Sequence, residues 1–431
     1  MNIVFFLIVA VAFAVAAWRQ LTQAPGSGEE GVMHVLSKAV VDSAGGAVEL
    51  AIGLIGVMAL FLGLMKVAEA GGLLNILARL IRPLMVRLFP EVPPDHPAMG
   101  AMILNFSANA LGLGNAATPF GIRAMQELDS LNPHPGTATN AMALFLAINT
   151  SGITLLPTGV IALRAAAGSA EPAAILPTTL VATACSTATA LVAAFAYRRF
   201  FPVRPAAGAA PAERPWLERD EGSEADTGQE PGYPLWVTLC AFALLLGLIP
   251  LTILYGRAIS PWIIPGLVVA FLGFGMARRV RVYEVFVEGA REGFQVAIRI
   301  IPYLVAILVA VGMFRASGAL GYLVHAIGGW TSQWGLPAEA LPMALLRPLS
   351  GSGAYGIMAS IIHDPATGPD TYVGYLVTTL QGSTETTFYV LAVYFGAVQI
   401  RRIRHTLAAA LTADLAGILA AVAICSWLYG S

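Results

Sequence analysis

Charge is scarce in this chain. Lys and Arg supply 24 of its 431 residues and Asp and Glu 25, together 11%, where a soluble globular protein carries about 25%. A surface so short of charge cannot face water on every side, and lipid must be the solvent for much of it. The formal net charge of −1 excludes a strongly basic nucleic-acid binder, and the 57% hydrophobic content excludes a disordered chain. The three cysteines, Cys185, Cys240 and Cys425, stand apart in apolar runs, which excludes a disulfide framework and a zinc knuckle. No His or acid has metal-ligand spacing to a partner, so no metal site is expected. Also missing are a glycine-rich loop ending in Gly-Lys-Ser or Gly-Lys-Thr, an H-E-x-x-H and a G-x-S-x-G. The chain therefore does not read as an enzyme and implies no cofactor. Any transport runs downhill, on a gradient, or with a separate ATPase subunit.

What is abundant is the long apolar run. A helix crosses the hydrocarbon core with about 20 apolar residues, and plain spans of that kind are Asn2 to Trp18, Gly46 to Met65, Ala173 to Tyr197, Pro234 to Tyr255, Ile259 to Ala277, Ile298 to Phe314 and Thr406 to Leu428. The first lacks the basic start of a signal peptide and reads as an anchor helix. Two further runs are interrupted by polar residues at mid-length. Ala141 to Leu163 holds Asn149, Thr150, Ser151, Gly152, Thr154 and Pro157, and Thr371 to Val398 holds Gln381, Gly382, Ser383, Thr384, Glu385, Thr386 and Thr387. Unwound backbone at membrane depth survives only where protein or a wet cavity surrounds it, so each reads as a broken helix. The Gly- and Pro-rich stretches before them, His96 to Met125 and Ala338 to Ile362, read as re-entrant hairpins. Leu73 to Leu88 and Tyr283 to Ala297 carry charge on one side and read as interfacial helices. The fold expected is an all-α polytopic membrane protein.

One region is hydrophilic, residues 202–233, with five prolines and seven acids. It reads as a linker between membrane halves at 1–201 and 234–431. Placing it in the cytoplasm puts Arg198, Arg199, Arg278, Arg279, Arg281, Arg401, Arg402, Arg404 and the Arg79, Arg82, Arg87 group on that side, and among the cations flanking spans leaves only Arg19, Lys38, Arg164, Arg257 and Arg315 outside. Nine crossings follow, with a cytoplasmic N terminus and an external C terminus.

The halves align with each other. Asp42 to Gly72 lies over Glu288 to Gly318, Ser107 to Asn109 over Ser350 to Ser352, Asn149 to Thr154 over Gln381 to Thr386, and Thr183 over Asp414. With an odd number of crossings between them, the copies are inverted. Two inverted copies with paired hairpins and paired broken helices suit alternating access, because they can exchange conformations.

Polar groups at the midplane are the candidate site. The first hairpin offers Asn105, Ser107, Asn109 and Asn115, and its broken helix Asn149, Thr150, Ser151 and Thr154. The second half offers Arg347, Ser350 and Ser352, then Gln381, Ser383, Thr384, Glu385 and Thr386. Amides and hydroxyls at such positions either bind a ligand or glue helices together, the latter worth about 1 kcal/mol each. Glu385 leads, since a carboxylate there costs several kcal/mol unless paired, solvated or protonated. It could hold a proton, coordinate sodium, accept from a solute, or pair structurally with Arg347. Asp414 is the second intramembrane acid, and Arg347 could serve either acid.

Asn105-Phe-Ser-Ala-Asn-Ala-Leu-Gly-Leu-Gly-Asn-Ala-Ala-Thr-Pro119 with Phe145-Leu-Ala-Ile-Asn-Thr150 resembles the spore maturation protein A family. Arg347-Pro-Leu-Ser-Gly-Ser-Gly353 with Gln381-Gly-Ser-Thr-Glu-Thr-Thr-Phe-Tyr389 resembles the spore maturation protein B family. The chain thus resembles a fusion of the two. In the first half Gly152 and Gly159 stand where that resemblance leads one to expect hydroxyl side chains. Both families carry the nucleoside recognition or gate domain, similar to part of the concentrative nucleoside transporters and of the ferrous iron permease. The resemblance implies a bacterial inner-membrane protein associated with spore maturation, and carries a solute-site role over to Asn105, Ser107, Asn109, Gln381, Thr384 and Glu385.

The function expected is a permease for a small polar solute, nucleoside-like or a small organic anion, with coupling to H+ or Na+ left open. Its partners are then the bilayer and that solute, with a homo-oligomer left open. The alternative from another class is a scaffold for envelope or spore assembly that moves nothing.

Overall fold

The computed structural model describes residues 2–22, 31–112, 114–152, 154–202, 232–323 and 331–430; the linker lies outside them except at its ends. The first half contains α1 (Asn2–Thr22), α2 (Val32–Ala70), α3 (Leu73–Leu88), α4 (Pro97–Ala110), α5 (Gly114–Ser130), α6 (Asn140–Thr150), α7 (Thr158–Ala166) and α8 (Leu176–Tyr197). The second contains α9 (Leu235–Ala277), α10 (Val282–Ala316), α11 (Ala319–Leu323), α12 (Leu341–Leu346), α13 (Gly351–His363), α14 (Tyr372–Ser383), α15 (Thr387–Ala397) and α16 (Thr406–Tyr429). Strand pairing among the described residues is limited to one bridge, Thr137 to Arg402. The described residues are otherwise helical or in turns and loops.

Local chemistry sets the boundaries, and it repeats. Gly72 and Gly318 both adopt φ +83°, ending the long helices α2 and α10 in the left-handed region that glycine tolerates. Thr139 caps α6 by accepting from the Met142 amide at 3.1 Å. Thr371 caps α14 by accepting from the Gly374 amide at 3.1 Å.

The two copies pack antiparallel. Lys66 of α2 reaches Glu292 of α10 at 3.0 Å, Ala59 lies against Gly293, and Ser43 against Gly312, so position falls along α2 as it rises along α10. The pair α8 and α16 behaves alike: Tyr429 bonds the Ala174 carbonyl at 2.8 Å, Ser186 the Ala413 carbonyl at 2.9 Å, and Tyr197 meets Thr412 at 3.1 Å. Small residues line that seam, with Ala182, Ser186, Ala190, Ala413, Gly417 and Ala421 all buried. Close backbone approach and dispersion, rather than the hydrophobic effect, drive helix association in lipid.

The helices differ from the expected spans in three places. The amphipathic piece at Tyr283 to Ala297 and the span after it form one helix, α10, continuous through Pro302. The spans Pro234 to Tyr255 and Ile259 to Ala277 are likewise joined in α9. A straight α9 would part Thr238 from Gly275 by about 55 Å, yet Thr238 bonds the Leu80 carbonyl while Gly275 packs on Val67, next to the turn from α2 into α3. The helix is therefore not straight between those two contacts. Finally, the unbroken segments long and apolar enough to cross are, among the described residues, Phe5–Thr22, Pro172–Tyr197 and Thr406–Tyr429, while Met58–Ala70 bends by 69° into α3. Breaks at Ser151 and Thr384 leave each piece of the polar-centred spans too short to cross alone.

Candidate functional site

Both polar-centred spans are unwound in the middle, and the two unwound segments meet. α6 stops at Thr150, and Gly152 follows with φ +61°. α14 stops at Ser383; Thr384 (φ −137°, ψ 165°) and Thr386 (φ −82°, ψ 90°) are extended before α15 begins. Helix ends leave backbone groups without intrahelical partners, and here one end satisfies the other: the Glu385 amide donates to the Thr150 carbonyl at 2.9 Å. The approach is close. A Cβ at Gly152 would lie 3.1 Å from the Thr384 backbone, and its φ is also one that side chains resist. This explains glycine at a position where the resemblance anticipates a hydroxyl.

Each break is fastened from the flanking helix by the aligned pair of residues. Thr183 on α8 donates to the Gly152 carbonyl. Asp414 on α16 accepts from the Thr387 hydroxyl at 2.6 Å through Oδ2.

Around this crossing the second half supplies Arg347, at the end of α12 and 4% exposed. Its guanidinium donates to the Thr384 carbonyl and, at 3.1 Å, to the Thr386 hydroxyl. It also faces Glu385 Oε2 at 3.7 Å, while the Glu385 side chain is 43% exposed. Arg347 therefore pairs with Glu385 rather than Asp414. The first half brings Asn109 to Asn149, amide to amide at 2.9 Å. Asn105 donates to the Ala117 carbonyl at 2.7 Å and to the Tyr394 hydroxyl at 3.2 Å, joining the first hairpin to α15. Among the described residues, five buried side-chain atoms around the breaks lack a hydrogen-bond partner: Asn105 Oδ1, Thr179 Oγ1, Gln381 Oε1, Asp414 Oδ1 and Arg347 Nε. Buried polar atoms are ordinarily satisfied, so bare ones beside broken helices suit an exchangeable ligand. Three of the five can only accept, which suits a ligand rich in donors.

Other expected site residues serve their own helices. The hydroxyls of Ser107, Thr150 and Ser383 bond the carbonyls of Ile103, Ala147 and Leu380. Ser151 bonds the Ile148 carbonyl and Thr187 on α8. Ser350 caps α13 through the Gly353 amide, Ser352 is exposed and Thr154 half-buried. The side chain of Asn115 lies outside the described residues.

Two residues that hold the halves together escaped the sequence reading. Arg164, at the end of α7 and fully buried, donates to the Pro369 carbonyl at 2.6 Å and pairs with Asp370 at 3.0 Å, just ahead of α14. Arg404 donates to the Ala138 carbonyl and to Asn140 Oδ1, each at 3.0 Å, at the start of α6. Each half thus clamps the start of the other's broken helix. The offset that aligns Thr139 with Thr371 also aligns Ala138 with Asp370, and was the available clue.

The family model described as nucleoside recognition, for the gate domain, matches residues 51–167 and 297–401, which hold both hairpins and both breaks. The chain belongs to the nucleoside-recognition gate family. Among gate-domain relatives, spore maturation protein B of Bacillus subtilis is 45% identical over 168 residues, 39% of this chain and 93% of that protein. Spore maturation protein A of the same organism is 46% identical over 171 residues, 39% of this chain and 87% of that protein. The gate domain occurs twice, and the chain is similar to a fusion of those two proteins. Inner membrane protein YjiG of Escherichia coli K12 is 34% identical over 97 residues, 22% of this chain and 63% of that protein. No solved structure matches. The apolar helices and these relatives make the chain a multi-pass membrane protein.

Proposed function

We propose that this gate-domain protein is a permease of the bacterial cytoplasmic membrane, moving a small polar solute by alternating access between two inverted halves. The observation that carries the reading is the meeting of the two unwound segments, Glu385 amide to Thr150 carbonyl at 2.9 Å. A scaffold has no need for broken helices that complete each other, whereas a binding site at a repeat interface is built that way. The antiparallel packing of α2 on α10 and of α8 on α16 supports the inverted arrangement. Arginine placement orients it, with a cytoplasmic N terminus and an external C terminus.

The solute contacts fall to Glu385, Gln381, Asn105 and the Asn109 and Asn149 pair, with Arg347 holding Glu385. Bare acceptors favour a donor-rich solute, and nucleosides, named in the family description, carry hydroxyl and amine donors. Cavities of about 300 Å³ beside Asn132, His134 and Asn140, and about 770 Å³ beside Asp42, Arg315 and His363, give vestibules near the start of α6 and the end of α13. The arginine clamps act as gates at the two faces.

Purified protein in proteoliposomes should take up labelled uridine or adenosine, and Glu385→Gln should abolish that uptake. Normal uptake by the variant would overturn the site. If no nucleoside, small carboxylate or inorganic cation shifts thermal stability or enters the vesicles, the permease reading fails.

A further inference from the structure

The two acids at the breaks are treated differently. Glu385 is 43% exposed at its side chain and faces Arg347 at 3.7 Å. Asp414 is only 2% exposed. Its Oδ2 accepts the Thr387 hydroxyl at 2.6 Å, and its Oδ1 is buried without a partner. Among the described residues no basic nitrogen comes within 4.0 Å of it.

Fastening a break does not require an acid. Thr183, the residue aligned with Asp414, holds the first break with a neutral hydroxyl. The carboxyl is therefore surplus to the structural task, and it is sealed at membrane depth where an ionised group is costly.

Three species could neutralise it. The guanidinium of Arg347 acts on Asp414 electrostatically but is committed to Thr384, Thr386 and Glu385. A hard metal cation takes about six oxygens, whereas the Thr387 hydroxyl points its proton at Asp414, the Thr384 carbonyl already holds Arg347, and the nearby guanidinium repels a second cation. A proton needs only the bare Oδ1. The elements packed on α16, namely α6, α8, α14 and α15, carry no charged residue. They bring Cys185 and Tyr197 from α8, Tyr372 and Tyr375 from α14, and Tyr389 and Tyr394 from α15. Among the described residues, Arg347, at the break itself, is thus the charge that acts on it.

We propose that Asp414 is a proton-binding site that holds H+ in this conformation and releases it as the second break rearranges. Its role in coupling rests on the permease reading; its protonation does not. Loss of the proton leaves a charge beside Arg347, which is drawn off the Thr384 carbonyl, and the extended segment from Thr384 to Thr386 is freed to close or open on the solute. Glu385 is then the solute acid and Asp414 the ion acid.

The test is infrared spectroscopy of the purified full chain in lipid, titrated from neutral to alkaline pH. A protonated-carboxyl band that disappears on titration should be present in the wild type, absent in Asp414→Asn, and retained in Glu385→Gln. A band unchanged in Asp414→Asn, or lost in Glu385→Gln, overturns the proposal. Replacing choline chloride by sodium chloride should leave the band in place; its sodium-dependent loss in the wild type would assign sodium instead. Asp414→Thr, copying Thr183, should elute and melt like the wild type. If the Asp414 variants misfold, Thr387→Val should shift the band by removing the Oδ2 partner, and no shift overturns the assignment. A silent band with intact uridine uptake defeats the proton site alone, whereas failed uptake with a titrating band defeats the permease alone.

Discussion

Arg164→Met separates a clamp between halves from a surface cation. Arg164 is 0% exposed and donates to the Pro369 carbonyl at 2.6 Å, the Pro172 carbonyl at 3.2 Å, Thr378 at 3.3 Å and Ser169 at 3.1 Å. Its guanidinium also lies 4.4 Å from the Tyr375 ring centre. Methionine keeps much of the volume and loses every one of these bonds. Each acceptor left bare costs about 1 kcal/mol or more. Removing one member of a buried ion pair costs about 3–5 kcal/mol, but Asp370 is 37% exposed and keeps its bonds to Ser169 and the Ala170 amide, so that contribution is smaller. The total expected is about 3–5 kcal/mol. Arg404→Met is the control. Its guanidinium holds two carbonyls and Asn140 but is half-buried, and it should cost about 1–2 kcal/mol, closer to an exposed charge. Thermal melting in detergent, followed by size-exclusion chromatography, ranks the two. An Arg164→Met variant that melts with the wild type, or a larger loss from Arg404→Met, refutes the clamp.

Gly152→Ala should lose about 2–3 kcal/mol, from the left-handed φ and from crowding against the Thr384 backbone, read as a drop in melting temperature. Gly159→Ala should be nearly neutral in the same assay, since the nearest atom to its Cβ would be the Tyr355 hydroxyl at 3.8 Å. His405, just before α16, has its imidazole pushed down to about 4 by burial and then by Arg404 and Arg198. Its neutral form is the one buried, so its contribution to stability is complete above the ordinary histidine value of 6.5 and is lost as pH falls from there toward 4. His405→Gln should flatten the fall in melting temperature between pH 6.5 and 4, and an unchanged slope would refute that origin.

Apolar run length was sufficient to read an all-helical membrane fold, because lipid leaves the backbone few alternatives. The breaks were legible for the same reason: Asn149 to Thr154 and Gln381 to Thr387 put polar residues where a plain span would have none. The joining of two spans into α9 was not legible, since proline within an apolar run signals either a loop or a bend. Within the site, sequence marked hydroxyls and amides by type but not by direction. Ser107 and Ser383 turn back to their own helices, whereas Asn109 and Asn149 find each other. Arg164 was sorted with the flanking cations because hydropathy carries no information about a loop in the other half.

Four of the contacts around the site cross between halves. Thr150 meets Glu385, Asn105 meets Tyr394, Arg164 meets Asp370 and Arg404 meets Asn140. Neither half holds both breaks, so each alone would leave bare acceptors there, such as the Thr150 carbonyl. A covalent link raises the effective concentration of one half near the other but adds no contact. Interleaved packing of α6 on α16 and of α14 on α8 is therefore what should hold the pair. Cutting the chain within residues 203–231 and co-expressing the pieces should return a complex that co-purifies and melts as one unit, with uptake preserved. Arg164→Met in the cut protein should then weaken recovery of the second piece far more than it does in the intact chain. Halves that separate without that substitution would show that the link, and not the interface, holds the site together.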